Sequence, residues 1–279
     1  MRVHVICLAL NEEVFITPLL QTLYPFCCGI SVLTQYDRDW YGNRVTPDRM
    51  LQTAADFPDP EGKIHLVLRR WRDQSPALNS EMGALSAWPA KGVQSHGCPP
   101  EEIRNFHEPP DYFWVVDADE IYDPETVPAI LEHLRKSRPR GMRVWGCNYL
   151  RTWNRRLPSN VVRFCQFGFL KPGVRFTHLR EVTWNEHRLR KLLGILRLPD
   201  FAAKAFGFIT CPPEVGIFHH GCWLGSDERL MAKARKSPHE SARRSSWLAE
   251  VDALPWVSVP TAELPRSIRE AKWPDGWIE

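Results

Sequence analysis

Tyr112-Phe113-Trp114-Val115-Val116-Asp117-Ala118-Asp119-Glu120 is the stretch on which the reading of this chain turns. Pro109-Pro110 precedes it, five large apolar residues follow, and carboxylates close it. That order describes a buried strand ending at a polar edge. Carboxylates crowded at such an end repel one another unless a cation lies between them. The stretch therefore predicts a divalent cation at residues 117–120.

Upstream, strand and helix patterns alternate. Val3 to Leu10 is rich in β-formers, and Asn11-Glu12-Glu13 reads as a helix start, with acids in the first turn where the helix dipole favours them. Leu19, Leu20 and Leu23 supply the buried stripe of that helix. Gly29 to Thr34 and Ile64 to Leu68 read as further strands, residues 77–88 as a helix and 92–110 as a loop. Downstream, Glu125 to Lys136 carries Val127, Ile130, Leu131 and Leu134 on one helical face. This alternation predicts an α/β fold: a mixed, mainly parallel sheet flanked by helices, with ligands at the carboxyl ends of the strands. The second half is less regular. Residues 142–149, 161–170 and 174–184 read as strands, 186–206 as a basic, partly helical stretch, Ile209 to His219 as a strand, and Asp227 to Lys236 as a helix.

The 279 residues, 43% hydrophobic and 25% charged, suffice for one large core. No apolar run approaches the roughly 20 residues of a membrane span. The chain enters a strand at Val3 without a signal-peptide pattern, and its eight cysteines form no C-x-x-C pair. A cytoplasmic protein with reduced thiols is expected. The net charge of +3 conceals an asymmetry: residues 1–134 carry 10 Lys/Arg against 20 Asp/Glu, and residues 135–279 carry 26 against 13. An acidic half is joined to a basic half, and the basic half suits an anionic partner. Arg143, Trp145, Tyr149, Arg151, Trp153, Arg155, Arg156, Arg163 and Phe164 intersperse cations with rings, the composition of a nucleic-acid groove. The same surplus also suits an anionic lipid surface. The plainer reading puts the rings in the core and the arginines on the opposite strand face.

Four stretches, in order, resemble the GT-A-fold glycosyltransferases, particularly family-2-like enzymes. They are Cys7-Leu8-Ala9-Leu10-Asn11-Glu12-Glu13, Ser75 to Gly83 around Asn79, Trp114 to Glu120, and Ile217-Phe218-His219-His220-Gly221-Cys222-Trp223 with Asp227-Glu228 and Lys233 after it. Leu78 stands where that family usually has Arg, and Tyr36-Asp37-Arg38-Asp39 replaces its acid-rich turn. The resemblance implies a GT-A-like fold over about residues 1–240. Residues 1–134 would form the half that binds a nucleoside-diphosphate sugar, 135–240 an irregular basic acceptor half, and 241–279 a Pro/Trp-rich tail packed on the body.

It further implies that Asp117 and Asp119 hold Mn2+ or Mg2+ against the donor diphosphate, with His219, ahead of His220, as third ligand. Leu10, Asn11, Glu12, Asp37, Asn79, Asp117 and Ala118 would line the nucleotide, with Arg72 or Asp73 helping. A general base for an inverting transfer is expected at Glu181, or at Glu186. The plainer readings are helix-end stabilisation for Glu12 and Glu13, a core histidine for His219, and ion pairs with Arg180, Arg188 or Arg190 for the two glutamates. The function implied is transfer from a nucleoside-diphosphate sugar, expected to be a UDP-sugar, to an anionic acceptor. A hydroxylated base in nucleic acid stands first, and a lipid-linked or cell-envelope saccharide is the alternative. A nucleotidyltransferase would share the sheet and the acidic motif, but Leu8 to Phe15 contains no glycine for a phosphate loop. A non-catalytic nucleic-acid-binding module is the third reading. No G-x-S-x-G, G-x-G-x-x-G or P-loop motif supports hydrolase or dehydrogenase chemistry.

Overall fold

The computed structural model describes residues 1–35, 37–40, 42, 44–71, 74–86, 109–158, 167–178, 181–182, 207–235 and 246–279. Strands β1 (Val3–Leu8), β2 (Gly29–Thr34), β3 (Ile64–Leu68), β4 (Tyr112–Asp117), β6 (Gly141–Arg143), β8 (Phe167–Leu170) and β11 (Phe208–Thr210) form a seven-stranded sheet in the order β11-β6-β8-β4-β1-β2-β3. Only β8 runs against the others. The expected mixed, mainly parallel sheet is therefore present. Its strand order reverses direction between β1 and β4, where Leu8 lies beside Asp117. In open α/β sheets the crevice beyond such a reversal is where ligands bind.

Both faces of β1 and β4 are covered. Val5, Cys7, Trp114 and Val116 face one apolar cluster, while Ile6, Leu8, Phe113 and Val115 face another. Helices α1 (Glu13–Leu23), α2 (Met50–Ala55) and α4 (Val127–Ser137) bury Phe15, Leu19, Met50 and Ile130 in the first cluster. Helix α3 (Gln74–Ser86) buries Ala77, Leu78, Met82 and Leu85 in the second. Period-two alternation fails in these strands because both faces are apolar, as in parallel sheets generally.

A second sheet, of order β13-β7-β12-β5, stands beside the first. It joins β5 (Glu120–Tyr122), β7 (Trp145–Arg156), β12 (Ile217–Leu224) and β13 (Val257–Ser258). The chain passes between the two sheets at residues 117–120, at Val144 and at residues 211–216. Two boundaries thereby differ from expectation. Residues 142–149 form parts of two strands in different sheets, separated by Val144. The single strand expected over 209–219 is two strands, because Pro212-Pro213 removes successive N–H donors and forces a turn. Residues 161–166 and 186–206 lie outside the described residues.

The C-terminal segment adds to the first core. Trp277 O accepts the Trp153 N–H at 2.8 Å, and Asn154 Nδ2 donates to Val259 O at 2.9 Å. Trp273 and Trp277 pack on Phe15, with ring centroids 5.6 and 5.5 Å away. Gly221 of β12 admits this packing, since a Cβ there would fall 2.6 Å from the Phe15 ring and 2.9 Å from Trp153. Gly221→Ala is expected to cost about 1–3 kcal/mol through overpacking. Urea unfolding checks this, and an unchanged midpoint would show that the aromatic cluster yields freely. Two short elements, α5 (Asp227–Arg235) and α6 (Trp247–Asp252), bury Leu230, Ala234 and Trp247 against Leu150 of β7. Among the described residues no helix is long and apolar enough to cross a membrane.

Candidate active site

The acidic stretch is a crossing between the sheets. Asp117 ends β4 and Glu120 begins β5, so the turn 117–120 is fixed at both ends by buried strands. Ala118 N donates to Leu8 O at 3.0 Å, and Gly221 N donates to Asp119 O at 2.9 Å. Glu120 Oε2 accepts the Asp117 N–H at 3.0 Å, closing the turn on itself.

Asp119 points inward and is 4% exposed. Its Oδ2 accepts from Lys233 Nζ at 2.6 Å, and its Oδ1 lies 3.5 Å from His220 Nε2. Lys233 Nζ also donates to Glu12 Oε1 at 2.8 Å, and Arg229 reaches Glu12 Oε2 at 3.3 Å. Glu12 thus follows β1, Asp119 follows β4, and α5 brings two cations across both. Arg229 and Lys233, four residues apart, share one helical face. The Arg229 guanidinium donates to Leu224 O at 2.5 Å and lies over the Phe15 and Trp277 rings at 5.4 and 5.1 Å.

The electrostatics follow from burial and pairing. Burial pushes the Asp119 carboxyl up, but Lys233 and His220 outweigh it and hold the group below the ordinary carboxylate range. Glu12 is raised, because burial and the Asp119 charge exceed the pull of Lys233 and Arg229. Burial, with Asp119 adding to it, lifts Glu120 to about 8 against the opposing pull of His220.

Asp119 and His219 do not come together as the metal ligands expected of them. Neighbouring side chains of a strand leave on opposite faces. In β12 the imidazole on the Asp119 side is that of His220, whose Nδ1 lies 2.9 Å from Asn148 Oδ1. His219 faces the core, with its Nδ1 2.7 Å from the Tyr149 hydroxyl. Burial, helped by Arg156, lowers its pKa to about 3. Among the described residues no three His, Cys, Asp or Glu side chains form a group able to hold a metal ion. Between Glu12 and Asp119 the cation is the Lys233 ammonium. The described residues therefore do not form the Mn2+ or Mg2+ ligand set expected from the sequence.

The remaining expected residues take other roles. Asn11, with φ 54°, donates through Nδ2 to Thr46 O at 2.8 Å and accepts the Asp48 N–H at 3.2 Å, so it clamps the loop after β2. The helix α1 cap comes from Asp48, whose Oδ2 accepts the Glu13 N–H at 2.9 Å. Sequence gave no sign of that cap, which lies 35 residues downstream. Leu10 packs against the second apolar cluster, and Ala118 is buried in the first. Asn79 is bound to the backbone of Phe176, donating to its O at 2.7 Å and accepting its N–H at 2.8 Å. That pair ties α3 to β9 (Phe176–His178) and so to β10 (Glu181–Val182). The β10 backbone places Glu181 opposite His178. The Glu181 side chain, Glu186, Arg72 and Asp73 lie outside the described residues. Asp37 follows β2 and faces Arg70 at 3.5 Å, while its Oδ1 is buried with no hydrogen-bond partner among the described residues.

The aromatic-basic stretch of β7 divides between core and ion pairs. Tyr149 and Trp153 are fully buried. Arg151 pairs with Asp227 and with Asp252, the latter at 2.7 Å. Arg155 donates to Asp252 O at 2.9 Å. These two rings are therefore not platforms for stacked bases. Arg163 and Phe164 lie outside the described residues.

The chain is thus a mixed α/β protein with a charged cluster at the reversal point of its parallel strands. No protein-family model and no curated protein matches its sequence. Among solved structures it is similar to S. aureus TarS, at 13% identity and a TM-score of 0.40 over 90% of this chain, which spans 42% of that one. It is also similar to TarS 1–349 in complex with UDP, at 14% identity and TM-score 0.38, covering 90% of this chain and 70% of that one. For TarS 1–349 in complex with UDP-GlcNAc the identity is 13%, the TM-score 0.38, and the coverage 90% and 71%.

Proposed function

We propose that this chain is a GT-A-type glycosyltransferase that takes a sugar from a nucleoside-diphosphate donor, a UDP-sugar in the first instance, and passes it to an anionic acceptor with inversion. One observation carries the reading: the ends of β1 and β4, at the reversal of strand order, bring together Glu12 and Asp119 under the cations of α5. In open α/β sheets a nucleotide binds beyond such a reversal of strand order, and Asp37 Oδ1 at the end of β2 suits a base N–H or a ribose hydroxyl. In the transfer, the acceptor oxygen bonds to the anomeric carbon. The bond from that carbon to the diphosphate oxygen breaks, and its electron pair leaves with the nucleoside diphosphate. The acceptor proton goes to a carboxylate base, for which we propose Glu181 on β10.

The positive surplus of residues 135–279 supports an anionic acceptor. With Tyr149 and Trp153 in the core, two of the rings expected to stack on nucleic-acid bases are out of reach of a ligand. Hydroxymethylated DNA, RNA and a lipid-linked saccharide therefore belong in one screen, with products read by mass spectrometry. A nucleic-acid acceptor should bind less tightly as salt rises.

Thermal stabilisation by UDP, followed by sugar transfer in that screen, is the expected result. No shift with any nucleoside diphosphate and no product from any donor would remove the glycosyltransferase reading. Glu181→Gln is expected to lower kcat by about 10²- to 10⁴-fold while donor Kd stays unchanged. Turnover at the wild-type rate would move the base to Glu186 or elsewhere.

A further inference from the structure

We propose that the Lys233 ammonium is the resident cation of the Glu12–Asp119 carboxylate pair, and that the site takes a nucleoside diphosphate without a divalent metal. The nucleotide half of this statement rests on the glycosyltransferase reading; the exclusion of metal does not.

Two carboxylates from different strand ends converge on one ammonium, at 2.8 Å from Glu12 Oε1 and 2.6 Å from Asp119 Oδ2. Both distances are those of charge-assisted hydrogen bonds. The ammonium is held there by its helix. Arg229, one turn earlier on α5, is fixed by Leu224 O, by Glu12 and by the Phe15 and Trp277 rings. This anchor sets the rotation of α5 and aims Lys233 at Asp119. Glu12 is paired with Arg229 and Lys233, and Asp119 with Lys233, so these two carboxylates are answered by permanent cations without a metal. A divalent ion added to it would bring two positive charges into a site where Glu12 and Asp119 are largely buried, at a large desolvation cost. To bind between the carboxylates it must first displace the ammonium. His220, 3.5 Å from Asp119 Oδ1, closes the other side of that carboxylate.

The same geometry says what removing the lysine does. Without its ammonium, Glu12 and Asp119 are left as two largely buried carboxylates with no cation between them, a repulsion that a divalent ion would relieve. Lys233→Met is therefore expected to create a metal site, and Lys233→Arg to keep it closed.

The test is binding of Mn2+ alone, followed by electron paramagnetic resonance, to the wild-type chain and both variants. The expected result is no stoichiometric site in the wild type or in Lys233→Arg, and one site in Lys233→Met at least about tenfold tighter than either. One Mn2+ bound by the wild type and lost in Asp119→Asn would overturn the proposal. So would equal binding by the wild type and Lys233→Met. If Lys233→Met does not fold, the wild type and Lys233→Arg still decide, since a stoichiometric site in either defeats it. A calorimetric arm uses UDP in EDTA and in Mn2+. The wild type should bind it equally in both, and Lys233→Met should bind it weakly in EDTA and recover in Mn2+. UDP binding by the wild type that requires Mn2+ overturns the metal-free assignment. Absence of UDP binding under every condition would instead defeat the glycosyltransferase reading, and the Mn2+ measurements would still decide the cation.

Discussion

Asp119→Ala is expected to lower turnover by about 10²- to 10³-fold, the scale of losing one preorganised electrostatic contact in an enclosed site. Lys233 transmits the loss. Its ammonium is placed by Asp119 Oδ2 at 2.6 Å and Glu12 Oε1 at 2.8 Å, and one of those anchors disappears. His220 loses its neighbour at the same time. The turn itself should persist, because Ala118 N–Leu8 O and Gly221 N–Asp119 O are backbone bonds that any residue at 119 can keep. The cost in stability is expected to be about 1–3 kcal/mol, since Lys233 retains Glu12. Steady-state kinetics in the donor screen and urea unfolding measure the two quantities separately. Full activity in the variant would take Asp119 out of the chemistry and leave it as a structural anion.

Trp114→Ala is expected to destabilise the chain by about 3–5 kcal/mol. Trp114 is fully buried in β4, three residues before Asp117. Its ring packs edge-on to Tyr122 at 4.7 Å and against Phe169 at 4.7 Å, and its Nε1–H donates to the Tyr122 hydroxyl at 3.2 Å. Tyr122 belongs to β5, on the far side of the acidic turn, so this contact joins the two sheets where the site is built. Alanine would open a cavity and leave a buried hydroxyl without its donor. The loss is a large share of the roughly 5–15 kcal/mol that stabilises a typical domain. Trp114→Phe should recover most of the packing and none of the hydrogen bond. A fall below about 1 kcal/mol for Trp114→Ala, read by urea unfolding, would show that the sheets are joined elsewhere.

Much of the first half was legible because its signals are local. Runs of β-formers bounded by turn residues marked β1, β2, β3 and β4 within a residue or two. The acidic turn was legible for the same reason, as a change from apolar to charged within one residue at Asp117. The second half was harder. There the chain changes sheets at Val144 and again after Pro212-Pro213, and a strand that changes sheets has no single period.

The partners of the site residues were not legible. Asn11 and Asn79 looked like ligand contacts, yet their amides hold Thr46, Asp48 and the Phe176 backbone. An amide reads the same in a sequence whether it meets a nucleotide or a distant peptide group. The resemblance put His219 ahead of His220, yet His220 is the one beside Asp119, because strand alternation says that they diverge but not which one faces the site. The packing of β12 between β5 and β7 decides that.

The sequence alone determined that carboxylates close a buried strand at residues 117–120, and their crowding there predicted a divalent cation. Like charges in a low-dielectric edge must either meet a cation or take up a proton, wherever the rest of the chain goes. Only the tertiary structure decided which cation answers them. It lies 114 residues from Asp119 in sequence and 221 from Glu12, and reaches both because Arg229 fixes the rotation of α5 over β12 and the C-terminal tryptophans. Pairings over that distance depend on how whole elements pack, and no local pattern encodes them.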